Sequence, residues 1–573
     1  MNSMLGKCGV WACLLLAGCA TARPSPEWIS TGRRVMVASD SVCASQAGLE
    51  VLRAGGNAFD AAAAVSFALA VVRPQSTGLG GGGFTLARLA RSGQMVVSDS
   101  RETAPGTADG GMFERAVQGD PDGPDPSRYG YLAVAVPGLL AGRVRMLERY
   151  GSMSLADVLA PAIRLARAGF AVDEHYVEAC TSVLKVYERY PTLKESCGYV
   201  YRTHLRGGAL RRPGDRLVQP ALARLLEAIA AGGVDVFYRG PVADAIDQKM
   251  REYGGVVRKV DLAGYRLAKS RRPIEVSYRD YTVVAMPPPS SGGIALAESL
   301  NILETFDLGG IYRRDPVQAG HLIIEAMKHA FADRARHLGD ADYVKVPTGL
   351  LTSKAYAQQL ASIIDRQHPR TLEAYGVPQL PEDGGTSHFC VVDGWGNCVV
   401  STETINTSFG SLAGVEEWGL ILNNEMDDFT ARPGEANAYG LIQAERNRVE
   451  AGKRPLSSMT PTMVLRDGEP FLLLGASGGP RIISSVLNVL LDVTDFGMSL
   501  EAAMQASRVH HQWRPDRVYF DAPPAAKLAE GLAGRGHRIS AEPRTGIVQA
   551  IMFGPDGLIG ASDPRKGGQP AGD

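Results

Sequence analysis

A threonine preceded by two glycines, in Asp383-Gly384-Gly385-Thr386, stands where a polar loop gives way to a strand-like apolar run. A chain cut before Thr386 would carry a hydroxyl nucleophile and a new α-amine on one residue. An α-amine titrates near pH ~8, so at neutrality part of it is unprotonated and can accept the hydroxyl proton. That is the Thr/N-terminal-amine form of an activated nucleophile. The competing reading is an ordinary Thr that ends a glycine-rich loop.

Other residues have types suited to holding a substrate. Arg101, at the end of a strand-like run, has the planar fork that clamps a carboxylate, or it is a salt-bridged surface residue. Glu425-Met426-Asp427-Asp428 places three acids in four positions. They fit a metal less well than acceptors for an ammonium, because a hard-cation loop alternates its ligands more regularly. Gly478 and Gly479 precede Pro480 and a helical pattern, so their N–H groups can meet a negative oxygen at a helix start, or simply form a flexible turn. The run Gly80-Gly81-Gly82-Gly83 lacks the Lys-Ser/Thr of a phosphate-binding loop and reads as a tight backbone passage. His329 and Asp333, four apart, read as a structural helix pair. No Cys or His spacing suggests zinc or an iron–sulfur cluster.

These residues need elements to position them. Residues 388–392 and 398–405 are two apolar, β-rich runs separated by Gly394, Gly396 and Asn397, which is a hairpin pattern. Further hairpins are expected at 462–465 with 470–474, and at 549–553 with 558–561. Residues 84–89, 95–98 and 278–285 read as strands. Helices are expected at 45–53, 58–72, 155–168, 220–231, 241–253, 294–306, 317–338 and 482–493. The second is apolar nearly all round and belongs between layers. Residues 104–129 read as a long loop, 364–385 as a polar linker that exposes the bond before Thr386, and 431–453 as a lid-length loop. Hairpins with intervening helices point to two packed antiparallel sheets covered by helices.

The chain has 573 residues, enough for several cores, and its 60 basic and 61 acidic residues nearly cancel, which excludes the charge pattern of a nucleic-acid binder. At the N-terminus an apolar run, 10–17, is too short to span a bilayer but suits a signal peptide. Leu16-Ala17-Gly18-Cys19 resembles the bacterial lipobox, in which the Cys is lipidated; a plain secretory signal is the alternative. Cys180 and Cys197 are close enough in sequence to pair in an oxidising compartment. Cys43, Cys390 and Cys398 lie in apolar contexts and read as small hydrophobes.

Nine motifs, PQSTGLGGGGF, DSRETAP, MPPPSSGG, TSHF, TETINTSFG, LNNEMDDF, RPLSSMTP, GASGGPRI and GASDPRKGG, occur in the order in which the γ-glutamyltranspeptidase family carries them. The chain resembles that family, a branch of the N-terminal-nucleophile hydrolases, from about residue 37 to 565. The resemblance implies an α+β fold, a four-layer αββα sandwich built from two chains after self-cleavage between Gly385 and Thr386. Residues 1–18 would be a signal peptide, 19–385 a large subunit and 386–573 a small catalytic one. Thr386 would attack the γ-carbonyl of glutathione and other γ-glutamyl compounds, with Thr404 orienting it and Gly478 and Gly479 as oxyanion donors. Arg101, Ser457 and Ser458 match the residues that hold the substrate α-carboxylate; Asn406, Glu425 and Asp428 match those around its ammonium. Water, an amino acid or a dipeptide would take the acyl group. No cofactor, metal or nucleic acid is implied. The expected location is the bacterial periplasm, with the membrane touched only through a lipid on Cys19. Ser387 and Gly385 depart from common family choices, which bears on cleavage efficiency. Tyr439 matches the family's gating position in the lid loop; cephalosporin-acylase-like relatives are expected to alter that loop and to replace the acid at Asp428.

Overall fold

The hairpins expected from apolar, β-rich runs around turn residues form, and they assemble into two antiparallel sheets. The computed structural model describes residues 26–268, 271–372, 385–431, 445–541, 543 and 546–573. A six-stranded sheet runs Ala571–Gly572, Met36–Ser39, Thr386–Val392, Cys398–Thr404, Gly82–Arg88, Met95–Asp99. A seven-stranded sheet runs Ile29–Gly32, Gly557–Ser562, Ile547–Gly554, Glu469–Ser477, Thr462–Arg466, Tyr281–Ala285, Ile274–Tyr278.

The sheets bury one face against each other through Leu86, Val392, Val400, Met463, Leu473 and Ile551. A side chain of this size contributes about 1.5–3 kcal/mol when fully buried. Cys390 and Cys398 belong to the same layer, as their apolar context predicts. Helices cover the other faces: Val42–Arg53 and Ala58–Val72 lie with the six-stranded sheet, and Gly292–Glu304, Pro316–His337 and Arg481–Thr494 with the seven-stranded one. Every residue of Ala58–Val72 is buried, and Asn57 and Asp60 close its first turn as a capping box.

The glycine run is the close passage that its composition implies. A Cβ on Gly81 would lie 2.0 Å from the carbonyl oxygen of Thr404, and one on Gly80 would lie 2.0 Å from that of Ile421. Only glycine lets this segment pass against the strand that ends at Thr404.

Three expectations need correction. Residues 278–285 are not one strand: Arg279, at φ +52°, turns the chain between Ile274–Tyr278 and Tyr281–Ala285. The 104–129 loop contains the helix Met112–Gly119, whose Met112 and Phe113 pack on Met426 and Phe429 beside the acidic segment. Cys180 and Cys197 are separate buried thiols. Beneath the strand that carries Thr404 lies a charged layer that local patterning does not announce. Arg143 donates to Glu403 Oε1 (Nε, 2.7 Å) and to Thr85 Oγ1 (2.9 Å), and Ser66 donates to Glu403 Oε2 at 2.9 Å.

Candidate active site

Thr386 begins a central strand, and across the hairpin its register partner is Thr404. Opposed residues on a pleated pair project from the same face, so the hydroxyls meet. Thr386 Oγ1 lies 3.3 Å from Thr404 Oγ1 and 2.8 Å from the carbonyl oxygen of Gly385, the residue it follows. Thr404 donates its hydroxyl proton to that same carbonyl at 2.8 Å and accepts from the Asn406 N–H at 2.7 Å. Asn406 reaches this position in the left-handed region, φ +76°, and its side chain donates to Asn424 O at 3.0 Å. Gly385 has no room for a side chain, since a Cβ there would meet Gln75 O at 2.8 Å.

Arg101, Thr386, Thr404, Asn406, Asp428 and Ser458 line one pocket, together with Ser457, Gly479 and Arg334. Arg101 is buried, with Nη1 2.5 Å from Glu425 Oε2 and Nη2 2.5 Å from Asp428 Oδ2; Nε donates to Pro455 O at 3.3 Å. Glu102 adds a third carboxylate at 3.5 Å. Burial works against the Arg101 charge, but these acids outweigh it and hold the guanidinium pKa above its ordinary value. Burial in turn raises the acids, against the pull of Arg101: Glu102 to about 8, Asp428 upward and Glu425 well upward. The groups expected to take an anion and a cation thus pair with each other at the pocket wall.

The expected serines are held by the segment that opens the Gly292–Glu304 helix. Ser291 donates from N and Oγ to Ser457 O, at 2.7 and 2.6 Å, and Ser457 N donates to Pro289 O at 2.9 Å. Gly478 and Gly479, at φ +122° and +57°, turn the chain from the Glu469–Ser477 strand into the Arg481–Thr494 helix, and Gly479 reaches the pocket wall. Tyr439 and Cys19 lie outside the described residues.

Sequence reasoning missed three positions. Arg334, read only as part of a helix, lines the pocket; it donates from Nε to Ser291 Oγ at 2.8 Å and from Nη2 to Ser458 Oγ at 3.4 Å. Burial lowers its pKa to about 10, with Asp428 opposing. Asn423 joins Gly80 O, Ala135 O, Ala135 N and Glu425 N with one amide, which sets the acidic segment. Asn447 ties Asp428 O to Leu456 N, linking the acid to the serine loop. Nothing in the local pattern sets Arg334 apart from other helical cations, since its acid, Asp428, is distant in sequence; amides that bridge distant backbone leave no signal either.

Elsewhere, His321, Glu325 and His537 bring metal-capable atoms within 4.8 Å of one another. The Lys328 ammonium donates to Glu325 at 2.7 Å and supplies the counter-charge that a metal would bring. His321 donates to Asp365 O at 2.7 Å, which leaves its other nitrogen to accept from His537 at 2.8 Å. The group is closed by hydrogen bonds rather than arranged for an ion.

A threonine hydroxyl at the head of a central strand, opposed by a second threonine and facing a carboxylate-and-cation pocket, defines an acyl-transfer site of the N-terminal-nucleophile type. The family model described as Gamma-glutamyltranspeptidase matches residues 44–573. A glutathione hydrolase proenzyme of Escherichia coli is 43% identical over 97% of each chain, and one from a Pseudomonas strain is 39% identical over 93% of this chain and 92% of its own. Among solved structures, a cephalosporin acylase from Bacillus halodurans superposes with a TM-score of 0.83 at 29% identity, covering 98% of this chain and 99% of its own. The chain belongs to the γ-glutamyltranspeptidase family.

Proposed function

We propose that this protein is a proenzyme that cleaves itself before Thr386 and then acts as a glutathione hydrolase and γ-glutamyltransferase. The observation that carries the reading is the convergence of Thr386 Oγ1 and Thr404 Oγ1 on the Gly385 carbonyl oxygen, each at 2.8 Å. In the first step the Thr386 oxygen bonds to the Gly385 carbonyl carbon, and the Gly385–Thr386 C–N bond breaks. The proton passes to the new α-amine. Water hydrolyses the resulting ester, leaving a carboxylate on Gly385 and a free Thr386.

In turnover the α-amine takes the Thr386 hydroxyl proton as the oxygen attacks the γ-carbonyl of a γ-glutamyl compound. The Gly478 and Gly479 N–H groups face the developing oxyanion, a contribution of ~3 kcal/mol per donor. The leaving amine receives the proton, and a γ-glutamyl-Thr386 ester remains. Water releases glutamate from it; an amino acid or dipeptide amine gives the transfer product. The substrate α-carboxylate takes Arg101 with Ser457 and Ser458. Its ammonium takes Glu425 and Asp428 beside Asn406. Because Arg101 already pairs with both acids, a zwitterion exchanges those ion pairs for new ones and adds no net charge to the buried pocket. Asp428 stands in this pocket, which supports a γ-glutamyl rather than an acylase specificity. Tyr439 would gate the entrance.

In the mature form, residues 19–385 and 386–573 are two subunits of a four-layer αββα sandwich. Residues 1–18 direct export and are then removed, with lipidation of Cys19 holding the enzyme to the membrane in the periplasm. Among the described residues no helix is long and apolar enough to cross a membrane. Cys19→Ser should move the protein from the membrane to the soluble periplasmic fraction.

The central test is direct. Wild-type protein should run as two fragments and release chromophore from a γ-glutamyl anilide, faster or with a new product when glycylglycine is added. Thr386→Ala should remain one inert chain of 61.0 kDa less its signal peptide. An uncut, inactive wild type overturns the reading.

A further inference from the structure

A second set of charges reaches the nucleophile through its own carbonyl group. Lys566, buried in the C-terminal motif, donates Nζ to Thr386 O at 3.0 Å and forms an ion pair with Asp40 Oδ2 at 2.6 Å. That carboxylate oxygen also accepts from Ser387 Oγ at 3.2 Å, so the pair brackets the first two residues of the strand. Arg73 fixes the pair from behind, with Nε 3.0 Å from Asp40 O and Nη2 3.3 Å from Lys566 O, while its Nη1 pairs with Asp173. His175 faces the same cluster; burial first, then Lys566 and Arg73, push its pKa well down. From the pocket side the charged groups nearest Thr386 are Arg101, Asp428 and Arg334.

The lysine is the nearer of the two charges to the nucleophile. Its ammonium touches the carbonyl of Thr386 itself, whereas Asp40 reaches only the side chain of the next residue. Burial lowers the lysine's own pKa, with Asp40 opposing, and while it is protonated a positive charge that close disfavours protonation of a neighbouring amine. The carbonyl hydrogen bond also fixes the direction in which the first peptide unit of the strand points, and with it the position of the α-nitrogen.

We propose that Lys566, set by Asp40, is a positioning residue that keeps the α-amine of mature Thr386 unprotonated at a lower pH than a free α-amine. The proposal rests on Thr386 being nucleophile and base. Catalysis needs the neutral amine, so the rate of γ-glutamyl-enzyme formation rises with pH through the amine pKa. Removing Lys566 takes away the cation and uncovers the Asp40 carboxylate; both changes stabilise the ammonium and move that rise to higher pH.

The experiment is the pH dependence of chromophore release in the acylation phase at saturating γ-glutamyl anilide, between about pH 5 and 10. Lys566→Met should shift the midpoint upward by about one unit, a roughly tenfold slower acylation on the acid side. Lys566→Arg should retain the wild-type midpoint. Asp40→Asn, which keeps the cation and removes its counter-ion, should leave the midpoint at or below wild type. If Lys566→Met is not cleaved, Asp40→Asn/Lys566→Met removes both charges and should still lie above wild type. An unmoved midpoint without the lysine, or a rise in Asp40→Asn, overturns the proposal. An uncut and inactive wild type would instead remove the nucleophile reading, whereas a cut, active wild type indifferent to Lys566 removes only the role of the lysine.

Discussion

Thr386 Oγ1 and Thr404 Oγ1 stand 3.3 Å apart and share one acceptor, the carbonyl oxygen of Gly385. Asn406 N–H occupies a lone pair of Thr404, so the Thr404 proton is directed at the carbonyl. The strand register therefore sets both hydroxyls on the one carbonyl of the uncut Gly385–Thr386 bond, as the proposed self-cleavage requires.

Thr404→Val keeps the strand and its shape but deletes that donor. Loss of one preorganised donor to a developing oxyanion costs about 10²–10³-fold in rate. The precursor band of Thr404→Val should persist on denaturing gels roughly a hundred times longer than that of wild type. Equal decay would show that the carbonyl is activated from elsewhere.

Gly385 is packed where any side chain would press on backbone. Its Cβ would come within 2.8 Å of Gln75 O and 3.2 Å of Ser76 Cα. Neither obstacle is a flexible side-chain end, so the scissile carbonyl must move. Gly385→Val should slow self-cleavage several-fold or more, with Gly385→Ala between it and wild type, read by the same gel time course.

Glu425 and Asp428, the carboxylates proposed to accept the substrate ammonium, have raised pKa values, by burial first, with Arg101 opposing. A raised acid keeps its proton to higher pH, and a protonated carboxyl does not bind an ammonium ion. KM for a γ-glutamyl anilide should therefore climb as pH falls, by at most tenfold per unit for each acid that takes up its proton. Asp428→Asn should raise KM at pH 8 by about 10–100-fold, in line with ~1.5–3 kcal/mol for a hydrogen bond to a charged group. It should also flatten the climb. A KM independent of pH in wild type would remove these acids from ammonium recognition.

The Arg143–Glu403 pair lies buried one residue before Thr404. Glu403→Gln strands the guanidinium and should cost about 3–5 kcal/mol, as should Arg143→Met, which strands the carboxylate. The double variant should lose less than the sum of the singles, because they share one interaction. Thermal midpoints of the four proteins provide the comparison.

Local pattern carried much of this protein. Apolar, β-rich runs announced strands at 388–392 and 398–405, which form as Thr386–Val392 and Cys398–Thr404, and the turn glycines made them a hairpin. That alone brings Thr386 beside Thr404, because a hairpin register is a short-range property. The Ala-rich run gave a buried helix with the same ends, Ala58–Val72. Ordered motifs marked Arg101, Asn406, Glu425, Asp428, Ser457 and Ser458, and the structure gathers them around one pocket and its acidic wall.

Charge pairing was legible only in three dimensions. Arg101 and Asp428 are 327 residues apart, and Lys566 and Thr386 are 180 apart. No periodicity encodes such partners, since they depend on how two sheets and their helices close on each other. For the same reason Arg334 read as one more helical cation, and Asn423 as one more polar loop residue. A side chain's type says which charge it brings. Only the tertiary structure decides which groups must share a dry pocket, and hence that Arg101 is paired there with Glu425 and Asp428.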